Sequence, residues 1–75
     1  MARLPTDLSG REVRTALERA GFVFRRQKGS HMVLRRERPY GRVVVPDHTP
    51  VRLGTLRRII ADAGLTVDQF VELLK

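Results

Sequence analysis

The stretch from Phe22 to Glu37 constrains the fold more than any other part of this chain. Two strand-like runs, Phe22 to Gln27 and His31 to Glu37, flank Lys28-Gly29-Ser30. Short runs rich in β-branched and aromatic residues around a glycine-bearing turn read as a β-hairpin. A three-residue turn pairs Phe24 with Leu34 and Arg26 with Met32. It gathers Phe22, Phe24, Met32 and Leu34 on one face. Arg25, Gln27, His31 and Arg35, with Val23 and Val33, then share the other. A two-residue turn pairs Phe24 with Arg35 and mixes the faces. A one-residue slip moves every side chain of a strand to the opposite face, so the three-residue turn is the expected register. His31 then belongs to the wetter, basic face.

Helix signals bracket the hairpin. Ser9 and Glu12 have capping-box spacing, and Leu8 and Val13 are placed as a hydrophobic staple. Val13, Ala16, Leu17 and Ala20 recur at helical spacing. Gly21 and Phe22 suit a Schellman ending, so the first helix covers about residues 10 to 20. Arg38-Pro39-Tyr40-Gly41 reads as a turn with proline second and glycine fourth. Arg42 to Val45 reads as a third strand closed by Pro46, and Asp47 to Arg52 as a loop. Leu53, Leu56, Ile60 and Ala63 mark a second helix ended by Gly64. Thr66 and Gln69 form another capping box, opening a short C-terminal helix. The expected fold is α+β: a three-stranded antiparallel sheet with helices on one face, in the order α-β-β-β-α with an extra terminal helix. Residues 1 to 75 read as one domain.

Charge bounds the partners. The net charge is +7. Seven Lys/Arg residues lie between Arg25 and Arg42 against one acid, Glu37. Such a balance favours nucleic acid or an acidic protein as partner. No helix is both basic on one face and richly apolar on the other, so a membrane surface is not expected. No apolar run approaches the roughly 20 residues of a bilayer span. The absence of cysteine suits a reducing cytoplasm, the expected location.

There are two histidines, His31 and His48. Cleavage of RNA by its own 2′-hydroxyl needs a base, an acid for the leaving 5′-oxygen, and cations for the crowded phosphate. Histidine suits the proton roles and Arg and Lys the electrostatic role. His31, with Lys28, Arg26, Arg35 and Arg25 nearby, supplies those types without a metal. The alternative is that His31 is a polar residue opening a strand. His48 is either a second proton carrier or a loop histidine. Ser30 either donates to a phosphate or only forms the turn. Two isolated histidines and scattered acids make no ligand set, so no metal or cofactor is expected. The amides around Gly54 and Thr55 are a further candidate for a phosphate contact, and the ring of Tyr40 either stacks on a base or, as is more usual in a Pro-Tyr-Gly turn, only packs the turn.

Ala20-Gly21-Phe22, Arg26-Gln27-Lys28-Gly29-Ser30-His31, Val43-Val44-Val45-Pro46, Gly54-Thr55-Leu56-Arg57-Arg58-Ile59 and Ala63-Gly64-Leu65 together resemble the HicA (YcfA-like) toxin family. The resemblance implies a fold like that of double-stranded-RNA-binding domains. It implies a metal-independent ribonuclease that cuts single-stranded messenger RNA, and a HicB-like antitoxin partner. The family's catalytic histidine falls on His31, its basic position on Lys28, and its motif turn on Gly29 and Ser30. Many members carry a second histidine or polar residue where this chain has Met32, which the register argument puts in the core. Two other functions stand beside this one: a non-catalytic RNA-binding module, and a degenerate toxin acting only through its antitoxin.

Overall fold

A computed structural model describes residues 2–75. The element order is α1 (Gly10–Arg19), β1 (Val23–Lys28), β2 (His31–Glu37), β3 (Tyr40–Pro46), α2 (Leu53–Asp62) and α3 (Val67–Leu73). The strands form one antiparallel sheet in the order β1-β2-β3. This is the α+β architecture expected from the sequence, with the extra C-terminal helix.

The helix ends follow from local chemistry. Ser9 and Glu12 make the reciprocal capping box, with Oγ accepting from the Glu12 amide at 3.1 Å. Thr66 and Gln69 repeat the device at α3. Helices α1 and α2 both close in Schellman motifs, with Phe22 N donating to Leu17 O and Leu65 N to Ile60 O, each at 3.1 Å. Gly21 and Gly64 take the required positive φ, 97° and 73°.

The core lies between one sheet face and the helices. Met32, Leu34, Val43 and Val45 from the sheet are buried with Val13, Leu17, Leu56, Ile60 and Phe70. Helix α3 packs against α1 and α2, and Arg19 ties its end through bonds to the Leu73 and Lys75 carbonyls.

The hairpin register departs from expectation in an instructive way. Phe24 does pair with Leu34, but Arg26 pairs with Val33, Gln27 with Met32 and Lys28 with His31. The turn therefore has two residues, Gly29 and Ser30, and Lys28 belongs to β1. The register shift between Phe24 and Arg26 leaves Arg25 unpaired, as in a β-bulge. A bulge absorbs one residue, so a two-residue turn and a clean apolar face coexist. Gly29 alone has positive φ, 59°, as the first central position of a type II′ turn demands. Gln27 is thereby moved from the basic face to the helix-facing side.

The second hairpin is also tighter than expected. Glu37 pairs with Tyr40, so Arg38 and Pro39 are the two turn residues and proline stands third. Strand β3 accordingly runs two residues earlier and one later than Arg42 to Val45.

Candidate functional site

Cross-strand partners point to the same side of a sheet, so the register defines the outer face. It carries Val23, Arg26 and Lys28 from β1, His31, Val33 and Arg35 from β2, and Arg42, Val44 and Pro46 from β3. His31 is exposed, and Lys28 lies directly opposite it. Four residues further along β2, Arg25, Arg26, Arg35 and Arg42 surround a shallow depression that includes Val33. The basic residues expected to form one cluster thus fall into two groups on one face. Lys28 accompanies His31 at the turn, and the arginines lie beyond.

A polar hub holds the His31 turn from behind. Gln27 Nε2 donates to Gly29 O at 3.2 Å and to Asp47 Oδ2 at 3.0 Å. Asp47 N donates to Ser30 O at 2.7 Å. Arg11 reaches both Asp47 oxygens at 3.4 Å. The hydrogen bonds from Arg11 and Gln27 hold the Asp47 carboxyl below its ordinary value, with smaller contributions from the charges of Arg11 and His48. Gly10 N donates to His48 O at 2.8 Å. A Cβ at Gly10 would overlap the Pro46 carbonyl oxygen, so glycine here lets α1 start against the end of β3. The turn, the exit of β3 and the start of α1 form one locked corner.

The other sequence candidates take varied positions. His48 is exposed on the loop after β3, two residues beyond the partner of His31. Its backbone carbonyl has a structural role toward Gly10, while its imidazole is solvent-facing. Ser30 contributes its carbonyl to the hub. Tyr40 is exposed at the tip of the second hairpin. Gly54 is exposed in the first turn of α2, which has no side-chain cap. Among the described residues, no three of His, Cys, Asp and Glu gather as a metal-ligand set.

Two arginines have roles that sequence reading missed. Arg36 lies on the helix-facing side, where its three nitrogens donate to Ala20 O at 3.1 Å, Ala63 O at 3.0 Å and Pro39 O at 3.0 Å. Its guanidinium carbon is 4.4 Å from the centre of the Phe22 ring. It serves the C-caps of two helices, whose partial negative charge suits a cation. Arg42 is the reverse case, because β3 brings it opposite Arg35. The parity of the strand was the available signal for both.

A family model described as HicA toxin of bacterial toxin-antitoxin matches residues 10–65. Comparison with curated proteins found no match. The matched span contains the outer sheet face, the locked corner and both Schellman endings.

Proposed function

The chain belongs to the HicA toxin family of bacterial toxin–antitoxin systems, and from that premise we propose that it is an endoribonuclease whose proton-transfer group is His31. Membership makes it a toxin with an antitoxin partner. The finer reading treats residues 1–75 as one catalytic domain acting on single-stranded messenger RNA. The exposed imidazole of His31, beside Lys28 on a cationic sheet face, carries it.

In this mechanism His31 accepts the proton of a ribose 2′-hydroxyl. The 2′-oxygen attacks the adjacent phosphorus, and the bond to the 5′-oxygen breaks. The products are a 2′,3′-cyclic phosphate and a free 5′-hydroxyl, which receives the proton. His31 either shuttles that proton or shares the work with His48. Lys28 stabilises the charge that builds on the phosphate oxygens, a contribution that often dominates such reactions, and Arg26 leads from it toward the other arginines. Arg25 and Arg35 hold backbone farther along the strand, and the outer side of Gly29 is open, since a Cβ there would meet nothing within 4 Å. Proton transfer by imidazole and charge stabilisation by fixed cations suffice without a metal. The locked corner holds the backbone of the turn beside His31.

The test is cleavage of end-labelled RNA in chelator-treated buffer. Wild type is expected to cut, and His31→Ala to lose cutting and toxicity while keeping its circular dichroism spectrum and melting temperature. Equal cutting by His31→Ala would remove the assignment. RNA bound with a steep salt dependence yet left intact by wild type would select the non-catalytic RNA-binding module, which the same arginine-rich face supports. Tight antitoxin binding without RNA binding or growth arrest would select the degenerate toxin. His48→Ala should cost much less than His31→Ala if His48 acts through its backbone alone.

A further inference from the structure

Arg35 and Arg42 stand directly opposite each other on β2 and β3. Like charges in that position destabilise a sheet. The bulged Arg25 and its neighbour Arg26 bring two more guanidinium groups to the same depression, where Val33 contributes the apolar part of the lining. Among the described residues, Arg25, Arg26 and Arg42 pair with no carboxylate, and Arg35 has only Glu37, 3.8 Å away and itself largely exposed. Arg35 Nε is shielded from solvent and has no hydrogen-bond partner. Buried donors are almost always satisfied, and a sheet that keeps a like-charge pair with only one long, exposed contact to a carboxylate departs from what its own stability favours. An anion in the depression neutralises the like-charge pair. From His31 to Arg35 is four residues of strand, roughly 13 Å at about 3.3 Å per residue. That is roughly four nucleotides of a stacked strand at about 3.4 Å each.

We propose that this depression is a second phosphate subsite, holding the RNA backbone several nucleotides from the bond broken at His31, with Arg42 as one of its residues. The inference rests on the ribonuclease reading for its ligand. An RNA strand fits better than an acidic protein segment. Guanidinium forks match phosphate oxygens two at a time. The lining offers one valine, whereas protein partners bind tightly through an apolar anchor seated in a pocket. The depression is also continuous with the His31 end through Arg26 and Lys28.

Three measurements on the full chain test the subsite. The first is kcat/KM on oligonucleotides of two to eight residues with a single ribonucleotide at the cleaved bond. Wild type should gain with length until the strand reaches the depression, at about five nucleotides, and Arg42→Met should flatten that gain, with about a tenfold loss on the longest substrate. Arg57→Ala, an exposed arginine on the helix layer, should leave the length dependence unchanged. The second is binding of the octamer in the His31→Ala background. Adding Arg42→Met should reduce the slope of log affinity against log salt by about 0.7. The third is thermal unfolding without RNA, where Arg42→Met should melt about 2 °C higher at low salt because a like-charge pair has gone. An unchanged salt slope overturns the subsite. So does an equal loss on the shortest and longest substrates, or a loss confined to binding of an acidic antitoxin. If wild type cuts nothing while the slope still falls with Arg42→Met, the subsite stands and the catalytic role of His31 fails.

Discussion

Arg36→Met isolates the arginine that joins the two helix ends. The substitution keeps an apolar stem and removes three hydrogen bonds of 3.0 to 3.1 Å. Bonds from a charged donor contribute about 1.5 kcal/mol each at the low end. The two to Ala20 O and Ala63 O are part-buried and deserve that value, while the exposed one to Pro39 O is worth less. Loss of the Phe22 stacking adds about 0.5 kcal/mol. The expected cost is therefore roughly 3 to 4 kcal/mol. A chain of this length has roughly 4 to 11 kcal/mol of net stability, so the loss is a quarter or more of the whole. Urea unfolding at 10 °C followed by circular dichroism would show a lower midpoint with little change in slope. Arg36→Lys should recover about half the loss, because an ammonium keeps the charge at the helix ends but cannot span three carbonyls. The salt slope of RNA binding by folded Arg36→Met should match wild type, since Arg36 is off the outer face. A cost below about 1 kcal/mol, or a salt slope reduced like that of Arg42→Met, would refute the role.

Three further perturbations probe the locked corner. Gly10→Ala should destabilise, although alanine normally gains up to about 1 kcal/mol over glycine inside a helix, because the new methyl overlaps the Pro46 carbonyl; a raised urea midpoint would contradict this. Gly29→Ala should cost about 1 to 3 kcal/mol from backbone strain at positive φ alone, since an added Cβ meets nothing within 4 Å; an unchanged urea midpoint would contradict this. Asp47 has its pKa depressed in the fold, so its contribution is complete above the unfolded value of about 3.9 and is lost as pH falls through the lower folded value. Urea midpoints from pH 5 to pH 2.5 should therefore fall less steeply for Asp47→Asn than for wild type; parallel curves would mean that Asp47 is not held as described. Glu12, lowered by its bonds with Ser9, gives the residual acid sensitivity common to both proteins.

Both capping boxes, both glycine endings and the order of elements were legible along the chain, because each depends on residues within a few positions of one another. The same locality let His31 be assigned to the open face, since parity along β2 needs only that Met32 and Leu34 go inward. What the chain could not reveal on its own was how the two strands of the first hairpin keep their faces. Apolar gathering identified the Phe24–Leu34 pairing but assigned the extra residue to the turn, whereas the fold accommodates it at Arg25. That choice sends Gln27 to the hub and brings Arg25 to the arginine depression. The arginines show the same division. Composition made them one phosphate-binding cluster, but pairing across β2 and β3 gathers Arg42 with Arg35 and turns Arg36 toward two helix termini far apart in sequence. Local hydrogen bonding and side-chain periodicity decide where elements begin and which face is apolar. Which charges meet is decided by register, bulge and helix packing, because the energies involved act between residues that only the closed fold makes neighbours.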